Sequence, residues 1–124
     1  MLGVSWTESA LHDADTIAEY FLAKGTPAER VEDFLGHLLS LSKRFAVLPG
    51  MGAFGKIRAT REYRDAKSRC LLVYGVTRVN IHVLRIVHDE VGFADADTFA
   101  AMTHASISPT KKEFSLNLSN PIHL

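Results

Sequence analysis

Among the polar side chains that interrupt an apolar run in the second half of the chain, two could do chemistry. Arg85 and His88 fall within residues 79–88, where Val79, Ile81, Val83, Leu84, Ile86 and Val87 supply most of the rest. A guanidinium is a rigid fork of donors suited to a carboxylate or a phosphate. An imidazole exchanges a proton near neutral pH. Arg58 and Arg61 lie upstream in the same basic third. Residues 43–85 hold ten basic and two acidic side chains, net +8, whereas residues 1–42 hold two basic and seven acidic and residues 86–124 two basic and five acidic. A formal net charge of zero therefore hides a middle third with the composition of an anion-binding surface. Three partners suit it: nucleic acid, an acidic protein segment, or the chain's own acidic helix. For Arg85 the structural alternative is an ion pair with a helix carboxylate such as Glu19. For His88 it is a hydrogen-bonded structural role at a strand end.

Other chemistries find less support. His82 and His88 lack a third ligand at metal-binding spacing, so neither a metal nor a cofactor is expected. Gly50, Gly52 and Gly55 precede Lys56, but no Gly-Lys-Ser/Thr follows. These glycines read as a helix stop and a turn, not a phosphate cradle. The chain has one cysteine, which excludes an internal disulfide and fits a reducing, cytoplasmic setting. Within a strand run Cys70 reads as an inert buried thiol. The length of 124 residues suits one core. No apolar run approaches the roughly 20 residues of a membrane span, and Met1 to Trp6 lack the basic region of a signal peptide.

The elements that must position these residues are legible from periodicity. Residues 3–6 form a short candidate strand. Thr7 or Ser5 caps a helix over 7–24, with Ala10, Ala14, Ile17, Ala18 and Phe21 at helical spacing and Gly25 at its end. Thr26-Pro27-Ala28-Glu29 reads as a capping box opening a second helix over 27–48. Val31, Phe34, Leu35, Leu38, Leu41, Phe45 and Leu48 recur along it at steps of three and four until Pro49-Gly50. So short a link forces an antiparallel helical hairpin, which must bury its stripes on a sheet. That sheet is expected from strands at 56–63, 70–77 and 79–88, with 3–6 in addition. Strict alternation over 79–88 puts Val79, Ile81, Val83 and Val87 on one face and Leu84 and Ile86 on the other. Apolar residues on both faces imply a cover for the second. A short helix at 95–104 and an irregular tail are expected at the end of the chain.

This order of elements, with specific residues in place, resembles the RelE/ParE superfamily of toxins from bacterial toxin–antitoxin pairs. Val4-Ser5-Trp6, Ala10 and Ile17-Ala18-Glu19-Tyr20 look like the family's opening. Leu48-Pro49-Gly50-Met51-Gly52 resembles its close to the second helix. Arg58-Ala59-Thr60-Arg61-Glu62, Leu72-Val73-Tyr74 and Val83-Leu84-Arg85-Ile86-Val87-His88 look like its later strands. The resemblance covers residues 3–90. It implies an α+β toxin domain at 1–90, a helical hairpin packed on an antiparallel sheet, followed by a C-terminal extension at 91–124.

The resemblance also implies a partner, a cognate antitoxin, and two possible activities. RelE-like members cut messenger RNA on the ribosome, and ParE-like members poison DNA gyrase. If the chain were a nuclease, His88 would be its acid or base, and Arg61 and Arg85 would hold phosphate. If it acts by docking, Arg58, Arg61, Arg85, Leu84 and Ile86 are the expected antitoxin- or target-binding residues. The nuclease members are expected to carry a tyrosine near His88. Here Asp89-Glu90 follows instead, and the pattern Arg-x-x-His looks more like the ParE side.

Overall fold

The computed structural model describes residues 2–92, and the helix expected at 95–104 and the tail after it lie outside the described residues. The order is β1 (Gly3–Trp6), α1 (Glu8–Ala23), α2 (Ala28–Val47), a single 3-10 turn at Pro49–Met51, β2 (Ala53–Phe54), β3 (Thr60–Asp65), β4 (Cys70–Val76) and β5 (Asn80–His88). The strands form a five-stranded sheet in the order β1-β5-β4-β3-β2. The sheet is mixed: β1 runs parallel to β5, and the other pairs are antiparallel.

Thr7 joins the sheet to the first helix. Its N–H donates to the Val83 carbonyl at 3.0 Å, continuing the β1–β5 ladder by one bond. Its hydroxyl donates to the Leu84 carbonyl at 2.9 Å and accepts from the Ala10 N–H at 3.1 Å, capping α1. At the other end Gly25 adopts φ +92, a backbone shape that favours glycine. The Gly25 N–H donates to the Leu22 carbonyl and the Thr26 N–H to the Phe21 carbonyl, a Schellman closure. The second helix differs from expectation. Its N-cap is Pro27, without a side-chain cap, and the Arg30 and Val31 N–H groups donate to the Pro27 carbonyl. Thr26 thus closes α1 through its backbone N–H and does not cap α2.

The two helices pack on one face of the sheet. The core there joins Ala10, Ala14 and Ile17 of α1, Leu38, Leu41 and Phe45 of α2, and Trp6, Leu72, Tyr74, Ile81, Val83 and Ile86 of the strands. Phe45 stacks on Tyr74 with ring centroids 4.1 Å apart and planes 11° from parallel. The Trp6 indole donates to the Ser42 hydroxyl at 3.2 Å, which gives its buried polar edge a partner.

Strict alternation fails in β5. Val73 pairs with Arg85, but the next residue of β4, Tyr74, pairs with Val83. Leu84 is thus an extra residue, a β-bulge. The bulge shifts the phase of every side chain after it, because strand faces alternate with period two. Ile86 therefore joins Ile81 and Val83 in the helix-packed core, not the opposite face with Leu84. The other departure lies upstream. Residues 56–59 form a turn, with Ala59 at φ +63, and β3 starts at Thr60. The expected strand at 56–63 is displaced because the Lys56 N–H is taken by the Glu62 carboxylate at 2.9 Å and the Thr60 N–H closes on the Ile57 carbonyl.

If Leu38 and Phe45 centre this core, Leu38→Ala will cost about 2–5 kcal/mol and Phe45→Ala about 3–5 kcal/mol, the range for truncating well-packed large side chains. Urea unfolding of the two variants measures both losses.

Candidate functional site

Arg85 is the most committed of the sequence-predicted residues. It lies just past the point where β1 ends, and the first turns of α1 run beside it. Its Nε and Nη2 donate to the two carboxylate oxygens of Asp13 at 2.7 and 2.8 Å. The Asp13 Oδ2 also accepts the Ile86 N–H at 2.9 Å. Both side chains are nearly buried. The ion pair foreseen for Arg85 exists, but with Asp13, one helical side closer to the sheet than the exposed Glu19. A bidentate pair is the strong geometry for arginine.

His88 is buried at the far end of β5. Its ring meets Phe21 edge to face with centroids 5.0 Å apart, and Phe34 at 6.2 Å. Its Nδ1 accepts the Glu90 N–H at 3.0 Å. That bond puts the proton of the neutral ring on Nε2. Burial, reinforced by the Arg69 charge, pushes the His88 pKa below its ordinary value, against the opposing pull of Asp89 and Glu90. His82 behaves similarly on the other side of the sheet. Its Nδ1 is 2.9 Å from the Ser5 hydroxyl, and burial lowers its pKa.

Arg61 sits elsewhere. It pairs in register with Tyr74 and thus shares the helix-packed face, whereas Arg85 pairs with Val73 of the opposite row. Arg61 stacks over Phe54 at 4.3 Å from the ring centre and donates to the Gly52 carbonyl at 2.7 Å. Phe54 is 84% exposed, an unusual place for a phenylalanine in a cation–π pair. Behind this surface, the Tyr74 hydroxyl donates to the Pro49 carbonyl and accepts the Gly52 N–H, both at 2.8 Å. A Cβ at Gly52 would stand 2.8 Å from the Glu62 carbonyl oxygen, so this close approach needs glycine. Arg58 is exposed on the adjoining turn. The structure thus brings Arg58, Arg61 and Phe54 to one edge of the sheet and leaves Arg85, Leu84 and Ile86 buried away from it.

The two carboxylates after His88 are both answered locally. Glu90 accepts from Lys24 at 2.6 Å and from Tyr20 at 2.7 Å. Those bonds hold its carboxyl down at about 2. Asp89 pairs with Arg64 at 2.8 Å and lies 3.8 Å from Arg69. Their charge is therefore less repulsive to a polyanion than the sequence implies. Beside His88 opens a cleft of about 260 Å³ with Phe21 and Phe34 in its wall and Arg30, Lys67 and Arg69 among its lining residues. Sequence reading missed these three as a group. Arg30 belongs to α2, and Lys67 and Arg69 belong to the β3–β4 turn, where Arg69 takes φ +59. Charge counting had signalled two of them, but only the fold joins the third. No cluster of three metal-binding side chains occurs among the described residues, and no described helix is long and apolar enough to cross a membrane.

Two measurements follow from these contacts. Removing the Asp13 carboxylate leaves a buried guanidinium and the Ile86 N–H without that acceptor, so Asp13→Ala will cost about 3–5 kcal/mol in urea unfolding, the scale for breaking a buried pair. Asp13→Asn, which keeps an acceptor, will cost less. The second concerns pH. Because the folded His88 pKa lies below the unfolded value near 6.5, the unfolded chain binds the proton first as pH falls. The stability it contributes is complete above that value and is lost as pH drops through the folded pKa. The urea midpoint will fall from pH 7.5 to 5.5, and His88→Gln will flatten part of that fall, with His82 retaining the rest.

No protein-family model matches the chain, and no curated protein matches it. Among solved structures, it is similar to a chain of the chromosomal ParDE toxin–antitoxin system from P. aeruginosa, with a TM-score of 0.61 and 19% identity. The alignment covers 69% of this chain and 94% of the other. At this identity the likeness is one of fold, and the protein has a RelE/ParE-like fold.

Proposed function

We propose that this protein is the toxin of a ParE-like toxin–antitoxin pair, which inhibits DNA gyrase by docking and is neutralised by a cognate antitoxin. The fold shared with the ParDE chain supports the toxin reading. The observation that carries docking over bond-breaking is the state of Arg85 and His88. An RNA-cleaving site needs a proton-transferring group and a cation aimed at one phosphate. Here the guanidinium is bound to Asp13 and the imidazole is packed edge-on against two phenylalanines with Nδ1 occupied.

The antitoxin reading rests on the far edge of the sheet. β2 is two residues long and ends in exposed Phe54, with Arg61 stacked on that ring and exposed Arg58 on the adjoining turn. An acidic, amphipathic segment could add along this edge by backbone pairing. It would set carboxylates against the arginines and an apolar side chain against Phe54. Arginine and aromatic anchors dominate binding energy at such surfaces. Phe54→Ala and Arg61→Ala will each weaken binding of the cognate antitoxin, identified by co-purification with this protein, by about 2 kcal/mol or more, measured by calorimetry. Unchanged affinity in both variants refutes this edge as the docking site.

The nuclease reading has one observation in its favour, the cleft where His88 meets Arg30, Lys67 and Arg69. Two reactions on the same purified protein separate the readings: gyrase supercoiling, and translating ribosomes with message. Docking predicts gyrase inhibition that survives His88→Gln in a variant shown to be folded by its unfolding curve. Cleavage predicts cut message, with His88→Gln lowering the rate by about 10²-fold, the scale for losing an acid–base group. Cut message with no effect on gyrase overturns the proposal.

A further inference from the structure

β1 is the outermost strand on its side of the sheet, and its outer edge is open at Val4. The Gly3 and Thr7 N–H groups donate inward to the Val79 and Val83 carbonyls, whereas the Leu2 N–H turns outward to the Ala46 carbonyl of α2 at 3.5 Å. Bonding direction alternates along a strand, so Val4 also turns its N–H and C=O outward. Among the described residues nothing bonds either group. An open edge of this kind is a template for another strand.

A groove runs beside that edge. Its volume is about 510 Å³, and Leu2 and Val4 of the strand side face Leu39, Ala46 and Val47 of α2 across it. Leu39, Lys43, Ala46 and Val47 share one face of the helix by their spacing. Apolar surface continues past the groove. Val47 is 60% exposed, Leu48 58% and Val79 68%, and the Gly3 bond to the Val79 carbonyl holds the β4–β5 turn at this same end of the sheet. Exposed apolar surface gathered in one place marks an interaction site. Lys43 and Arg44 are the charged residues of the lining. Both are exposed, and neither is in an ion pair among the described residues.

We infer that the β1 edge and this groove together receive an extended, acidic segment of a partner protein as a further strand. The residue opposite Val4 exchanges both backbone bonds with it, as in a hydrogen-bonded antiparallel pair. Its side chain then lies on the same face as Val4 and fills the groove, so it is apolar. The residues two positions before and after it point to that face as well, and carboxylates there reach Lys43 and Arg44. Charge decides the class of partner. A second copy docked by this edge would repeat the same patch on both sides and crowd the four cations at one rim, an unfavourable arrangement. A nucleic acid brings negative charge but neither the peptide groups for Val4 nor an aliphatic side chain for the groove. The surface lies at the opposite edge of the sheet from Phe54, and the inference does not rest on the toxin reading.

Amide-resolved NMR of the full chain tests it. The probe is a short capped peptide with a central valine, a glutamate two positions to either side, and threonine at the places between. In the free protein the Val4 N–H will exchange with solvent about tenfold faster or more than the bonded Gly3 N–H. Peptide will slow the Val4 exchange about tenfold or more and shift the signals of Leu39 and Val47. Lys43→Glu and Arg44→Glu together will weaken binding about tenfold or more, in a protein shown to be folded by its urea curve. If that variant does not fold, the same peptide with glutamine for glutamate, added to the unaltered chain, makes the equivalent measurement and will bind as weakly. Four results overturn the inference: a Val4 N–H already protected in the free chain, because the edge is then taken; no change at Val4 with millimolar peptide; equal binding of a peptide with lysine for glutamate; or shifts confined to the Phe54 edge.

Discussion

A single carboxylate holds the place where three elements meet. Asp13 takes the Arg85 fork and the Ile86 N–H together, just where β1 runs out and β5 loses its neighbour on that side. An unpaired strand edge buried against a helix would leave a donor without a partner, at a cost of about 1–3 kcal/mol. Asp13 supplies that partner from α1. The same stretch contains the Leu84 bulge, whose carbonyl is taken by the Thr7 hydroxyl. Helix attachment, strand termination and the change of phase in β5 are thus one connected set of bonds. Arg85 belongs to that set, which is why a residue suited to gripping phosphate is found gripping the chain itself.

Much of the architecture was readable before any coordinates. The helical stripes of α1 and α2 are long and periodic, and Pro49-Gly50 marks their end. Residues 70–77 and 79–88 are dense in β-branched and aromatic side chains, so their strands were legible too. The bulge was not. A period-two reading assumes one residue opposite each partner, and nothing in Val83-Leu84-Arg85 announces an extra one. The start of β3 was misplaced for a different reason: residues 56–60 close a turn through the Thr60 N–H bond to the Ile57 carbonyl and the Lys56 N–H bond to the Glu62 carboxylate, and these side-chain and turn bonds leave no mark on a period-two pattern. The parallel partner of β5 was identified as a strand, but its direction comes from topology. For the candidate site, residue types were legible and their company was not. Arg58 and Arg61 read correctly as basic surface, while the exposed Phe54 beneath Arg61 had been taken for loop.

The segregation of charge takes on a different meaning once contacts are known. The basic middle third is partly matched by acidic groups from the two flanks: Asp13 to Arg85 from the first, and Asp89 to Arg64 from the last. His37 of α2 likewise reaches Asp65 of β3 at 2.7 Å. The Asp65 carboxyl is held low by Ser68 and His37 despite the burial that opposes this. The sequence blocks are complementary because the fold brings them together.

The parallel placement of β1 has a consequence for how the molecule is made. Ser5 and His82 touch across 77 positions of chain, and the strand that must receive β1 is the last of the sheet to be synthesised. A chain growing at about 5–20 residues per second therefore carries Val4 and Trp6 for several seconds before Ile81 and Val83 exist. The α1–α2 hairpin can fold in microseconds once exposed, but its apolar stripes also wait for the same sheet. The nascent chain is consequently an unsatisfied helical pair with a trailing strand, and closure of the domain is a late, long-range event. A helper that binds exposed apolar helices at the tunnel exit would meet this protein in its most vulnerable form, before the central strands emerge to claim those surfaces.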